Sequence, residues 1–83
     1  MHVKAEIVAR LEGKVLAFVR LWLGSIMIDS VKLIDGGNGL FVAMPSERSN
    51  NGKYYSLVRI DDKELNNTIL DTVIEAYETS FTQ

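Results

Sequence analysis

The sequence predicts an α+β domain: an antiparallel β-sheet of four to five strands followed by a C-terminal α-helix, dimerising through the sheet. Three observations predict it. Residues 3 to 44 alternate with the two-residue period of strands. Glycine-containing breaks divide that stretch, and connections so short join antiparallel neighbours. From about residue 62 the apolar spacing becomes helical. The 83 residues read as one domain, 1–83, since a chain this short has no room for a second core.

The first strand, Val3 to Leu11, sets Val3, Ala5, Ile7, Ala9 and Leu11 on one face, with Lys4, Glu6, Val8 and Arg10 between them. Glu12-Gly13 turns the chain into a second strand, Lys14 to Leu23, whose one face is Val15, Ala17, Val19, Leu21 and Leu23. Its other face carries Leu16, Phe18 and Trp22, with Arg20 the one strongly polar residue, so this strand is apolar on both sides. Gly24-Ser25 leads to a third strand, Ile26 to Ile34, rich in β-branched residues and interrupted by Asp29 and Lys32; by alternation Asp29 and Asp35 could share a face. Asp35-Gly36-Gly37-Asn38-Gly39 supplies residues that tolerate positive φ, as a tight hairpin requires. Leu40 to Met44 is a fourth strand, again apolar on both faces, and Pro45 ends it because proline cannot donate to the ladder.

Ser46 to Gly52 reads as a polar loop and Lys53 to Ile60 as a short fifth strand. The helix spans roughly Asp62 to Thr79: Leu65, Ile69, Val73 and Tyr77 fall four apart, flanked by Leu70, Ile74 and Phe81. Asp61 is placed to cap it, with Glu64 completing a capping box and complementing the helix dipole. One helix covers one face of a sheet. Strands two and four are apolar on both faces, so a second copy is expected on the other side, in a twofold dimer.

Composition bounds the function. The chain is 47% hydrophobic, although a domain of this size buries only about 60–65% of the surface its unfolded form exposes. Without cysteine it has neither disulfides nor a zinc–thiolate site, which fits a cytoplasmic protein. No apolar run reaches the roughly 18–20 residues of a membrane span, Arg20 interrupts the longest, and the N-terminus lacks a secretory pattern. The net charge of −2 has the wrong sign for an obvious nucleic-acid binder, but it is unevenly spread. Residues 1–45 carry five basic and four acidic groups; residues 46–60 carry Arg48, Lys53 and Arg59 against Glu47 alone. Residues 61–83 set Lys63 against Asp61, Asp62, Glu64, Asp71, Glu75 and Glu78.

No constellation for catalysis is legible. His2 is the single histidine, Ser46 and Ser56 lack a base, and the glycine cluster has neither the lysine nor the following helix of a phosphate loop. Asp61, Asp62 and Glu64 suit a solvated helix start better than a cation site. We therefore expect no enzyme, no cofactor, no metal and no small-molecule substrate. The binding candidate is the segment Arg48, Asn50, Asn51, Lys53, Tyr54 and Tyr55, with Arg59 beyond it. Cations reach phosphates, amides add polar contacts, and tyrosine faces stack on unpaired bases, so DNA or RNA is the expected partner. The alternatives are a polar hairpin whose tyrosines pack on the sheet edge, or a protein–protein module using the acidic helix.

The run Val31-Lys32-Leu33-Ile34-Asp35-Gly36-Gly37-Asn38-Gly39-Leu40-Phe41-Val42-Ala43-Met44-Pro45-Ser46 resembles the signature of the SpoVG family (stage V sporulation protein G, septation regulators of bacteria). The opening strand, the polar glycine-containing loop and a helix ending near Glu75-Ala76-Tyr77-Glu78 follow in the order that family shows, across nearly the whole chain. The resemblance implies a small cytoplasmic bacterial protein that dimerises through its β-sheets. It further implies a DNA- and RNA-binding regulator linked to septation, sporulation or virulence gene expression. In the family the loop after Met-Pro-Ser and the helix start carry the binding cations; Arg48 and Gly52 match that loop. Three features depart from the pattern. Glu47 stands where lysine is common, Val58-Arg59 replaces a typical His-Pro, and the helix start is anionic, from Asp61 to Glu64.

Overall fold

A computed structural model describes residues Met1 to Thr82. Four strands, β1 (Val3–Arg10), β2 (Val15–Leu23), β3 (Ile26–Asp35) and β4 (Leu40–Ala43), form one antiparallel sheet in the order β1-β2-β3-β4. Two short strands, β5 (Ser46–Arg48) and β6 (Tyr54–Ser56), pair with each other in a separate hairpin. Helix α1 (Lys63–Thr79) and a 3₁₀ turn (Ser80–Thr82) complete the chain. The expected α+β class and element order stand, with two local corrections. Ser46–Arg48 is a strand rather than loop, and its partner β6 belongs to this hairpin rather than to the main sheet.

The core lies between the sheet and α1. Ala17, Val19, Leu21 and Leu23 from β2, Ile28, Val31 and Leu33 from β3, and Ile69 and Val73 from α1 are its buried members. These are the odd positions of β2 and the i, i+4 stripe of the helix, as the two periods require. Leu65, Leu70, Ile74 and Tyr77 flank the stripe half-buried.

Three register irregularities modify the strict alternation. Between Ile7 and Ala9 the pairing with β2 slips, so that Arg10 lies opposite Ala17 and its guanidinium reaches the helix, donating to the Ser80 carbonyl at 3.2 Å. A second slip falls between Val15 and Ala17. In the third, Val19–Leu21 faces Val31–Ile28, leaving one extra residue in β3 where Ser30 adopts φ 63°. That extra residue explains why Ile28 and Val31, three apart, are both buried. It also shifts the alternation between Asp29 and Asp35, so the two do not form the carboxylate pair their even spacing suggests. Asp29 accepts from Arg20 at 2.9 Å, and Asp35 accepts from the Gly37 amide at 2.9 Å. The Asp35–Gly39 turn is closed by the Gly36 amide on the Gly39 carbonyl at 2.9 Å, with Gly37 and Gly39 both at positive φ.

The helix N-cap is Asp62, not Asp61: its carboxylate accepts from the Leu65 amide at 3.1 Å. A capping box would need an acidic or amide side chain where Leu65 stands, so Glu64 does not complete one and instead sits in the first turn, favourably placed for the dipole. The burial of Leu65, Ile69 and Val73 sets the phase of the helix, and that phase selects the cap.

The sheet face away from α1 is open. Phe18, Met27 and Phe41 are exposed there, interleaved with charged residues. Arg20 bridges Glu6 at 3.0 Å and Asp29 at 2.9 Å, and the Lys4 ammonium lies 5.1 Å from the Trp22 ring centroid. The hydrogen bond that Arg20 donates to Asp29, with the negative charges of Asp29 and Glu6, holds the Arg20 guanidinium above its ordinary pKa.

Candidate nucleic-acid interface

The β5–β6 hairpin grows directly from Pro45, whose carbonyl accepts from the Leu57 amide at 2.9 Å and closes the hairpin base. Its tip is a built turn. The Ser49 amide donates to the Lys53 carbonyl at 2.8 Å and the Gly52 amide to the Ser49 carbonyl at 3.0 Å, with Gly52 at φ 84°. Asn51 Oδ1 accepts from the Lys53 amide at 3.2 Å and lies within reach of the Ser49 hydroxyl. Ser, Asn and Gly are the residues such turns favour, since their short polar side chains satisfy nearby backbone groups and glycine accepts positive φ.

The hairpin contributes nothing to the buried core and is exposed along both strands. Register decides what each face carries. Arg48 lies opposite Tyr54, and Glu47 opposite Tyr55. Directly opposed residues share a face and successive residues alternate, so Arg48 and Tyr54 occupy one face, Glu47 and Tyr55 the other. The Tyr55 hydroxyl donates to Glu47 at 3.1 Å. The acidic residue next to Arg48 in sequence thus points away from it and engages a tyrosine. Tyr54 is 71% exposed and Tyr55 50%, so neither ring is packed on the main sheet. The Arg48 guanidinium runs along the hairpin, 3.6 Å from where a Cβ on Gly52 would stand.

Of the seven residues selected from the sequence, the fold brings six into this hairpin: Arg48, Asn50, Asn51, Lys53, Tyr54 and Tyr55. Asn50 is exposed at the tip, whereas the carboxamide oxygen of Asn51 is committed to the turn. Arg59 stands apart, exposed on the link to α1 between Val58 and Ile60, which pack half-buried against the core. The cross-strand pairing of Arg48 with Tyr54 was not legible, because Ser46–Arg48 carries no apolar alternation to mark it as a strand. Chemically the hairpin offers cations, exposed aromatic faces and amide groups on a protruding ribbon. Among the described residues no group of three or more histidine, aspartate or glutamate side chains is placed to hold a metal. No helix there is long and apolar enough to cross a membrane.

An antiparallel sheet backed by one C-terminal helix, with an exposed polar hairpin between them in the chain, defines a small α+β protein. The chain belongs to the SpoVG family, whose profile matches residues 1–79. A SpoVG protein of Desulforudis audaxviator is 37% identical over 67 residues, covering 80% of this chain and 76% of its own length. One from Lachnospira eligens is 34% identical over 68 residues, covering 81% and 77%, and one from Clostridioides difficile 30% over 73, covering 87% and 79%. The names of these relatives connect them with septation.

Proposed function

We propose that this chain is a cytoplasmic, nucleic-acid-binding regulator of the SpoVG type, serving septation or sporulation control and acting as a dimer. The observation that carries the reading is the β5–β6 hairpin, where Arg48 and Tyr54 share one exposed face beside Lys53. A guanidinium beside a solvent-exposed ring can grip a phosphate while the ring stacks on an unpaired base. The acidic helix, by repelling phosphate, leaves the hairpin as the contact surface, and a dimer doubles the hairpins on one nucleic acid.

Anisotropy of labelled single-stranded and duplex DNA and RNA, at two salt concentrations, tests it. Affinity should fall steeply with salt, and Arg48→Ala and Lys53→Ala should each weaken binding across sequences, lowering the salt slope by about one. Glu47→Lys should tighten binding. Absence of binding at low salt would sink the reading; affinity unchanged from the natural protein in both alanine variants would sink the site. The first outcome would favour a protein-binding module, for which the exposed Glu64, Asp71, Glu75 and Glu78 on α1 supply the surface.

A further inference from the structure

We propose that Asn38 is a site of spontaneous deamidation, and that the hairpin tip holds the other Asn-Gly step of the chain, Asn51-Gly52, against the same reaction.

The reaction joins the side chain of an asparagine to the backbone nitrogen of the residue after it. That nitrogen loses its proton and attacks the side-chain carbonyl carbon Cγ. A C–N bond forms, the carboxamide nitrogen leaves as ammonia, and a cyclic succinimide results. Water then opens the ring at either carbonyl, giving aspartate or isoaspartate, with no oxidant and no enzyme. Glycine in the second position favours ring closure, because it has no side chain to obstruct the approach. The chain contains two such steps, Asn38-Gly39 and Asn51-Gly52, and both asparagines are exposed. Sequence ranks them equally.

The two turns do not. At the hairpin tip both reacting groups are engaged. The Gly52 amide donates to the Ser49 carbonyl at 3.0 Å, so its proton is given up only when the turn opens. Asn51 Oδ1 accepts from the Lys53 amide at 3.2 Å and lies within reach of the Ser49 hydroxyl, which fixes the carboxamide in the turn. The Arg48 guanidinium, 3.6 Å from where a Cβ on Gly52 would stand, occupies the space beside that glycine.

In the turn between β3 and β4 the bonds fall on neighbouring residues instead. The Gly37 amide donates to Asp35 Oδ1 and the Gly36 amide to the Gly39 carbonyl, each at 2.9 Å. Among the described residues neither the Asn38 carboxamide nor the Gly39 amide has a hydrogen-bond partner. Nothing stands within 4 Å of the Cβ position at Gly39. Nucleophile, carboxamide and water all have free access there.

The product matters to the sheet. Isoaspartate at position 38 routes the main chain through the former side chain and lengthens it just before Gly39. The Gly39 carbonyl closes the turn, and the next residue, Leu40, pairs with Asp35. β4 has only 4 residues, so a displaced start disturbs its pairing with β3. Deamidation of Asn51 would instead add a negative charge to the basic hairpin, and the turn that holds Asn51 opposes this.

Trypsin cuts after Lys32, Arg48 and Lys53, and so separates Asn38, in Leu33 to Arg48, from Asn51, in Ser49 to Lys53. The full-length chain is incubated at mildly alkaline pH, folded or in urea, and the peptides are followed by mass spectrometry. In urea both steps should convert at similar rates. In the folded chain Asn38 should convert about tenfold or more faster than Asn51, whose bonds must break first. Equal rates in the folded chain overturn the proposal, as does an Asn38 that persists there after converting in urea. A gap equally large in urea would overturn the role given to the turns. The converted fraction, parted by anion exchange through its added charge, should unfold at lower urea; an unchanged midpoint overturns the consequence drawn for β4.

Discussion

Arg10 shows how one residue changes its role through register. By alternation it shares a face with Lys4 and Glu6, but the slip after Ile7 carries it to the helix side, opposite Ala17. There it donates to the Ser80 carbonyl at 3.2 Å, and its guanidinium lies 4.5 Å from the Phe81 ring, which meets Tyr77 edge-on at 4.9 Å. The last turn of α1 contains no basic residue of its own, so Arg10 is the cation that complements this end of the dipole. Arg10→Ala should lower stability by about 1 kcal/mol in urea unfolding. An unchanged midpoint would show that the tie is decorative. Ser30, at φ 63°, holds a backbone conformation that costs a non-glycine residue about 1–2 kcal/mol. The bulge it forms keeps Ile28 and Val31 buried together and sets Asp29 beside Arg20.

Among the elements, α1 depends most on packing. Its apolar stripe is narrow, and only Ile69 and Val73 are buried completely. Both touch the cluster formed by β2 and β3. Ile69→Ala should therefore cost about 2–5 kcal/mol, read as a lower urea midpoint with loss of helical circular dichroism in the same transition. A helix that melted separately from the sheet would contradict this account of the core. The β5–β6 hairpin is the opposite kind of element. Its order comes from the Ser49–Lys53 turn and the Leu57–Pro45 closure rather than from burial. Substitutions at Arg48 or Lys53 should consequently report on binding with little change in stability.

At the scale of the whole molecule, charge and apolar surface are segregated. The helix carries the acidic excess, the hairpin and its link carry the basic excess, and the sheet offers an unpaired edge at β1. If the chain acts as the dimer proposed above, folding and association are linked, and the melting temperature must rise with protein concentration. Thermal melts across a hundredfold concentration range check this; a constant melting temperature would contradict a dimer that stabilises the native state.

By itself the sequence determined the α+β class, the order of the main elements, the glycine turn before β4 and the place of the basic segment from Arg48 to Arg59. These rest on properties of adjacent residues: the two-residue period, its change to a helical one near Asp62, and side chains that tolerate positive φ. It also identified the family, through an unbroken run from Val31 to Ser46. Only the tertiary structure decided where the registers slip, which aspartate caps α1, that Glu47 faces Tyr55 rather than Arg48, and that β1 is left at an edge. Each of these is settled by contacts across strands or between sheet and helix, among residues far apart in the chain. Ser46-Glu47-Arg48 has no local mark of a strand, and becomes one because Tyr54-Tyr55-Ser56 returns beside it.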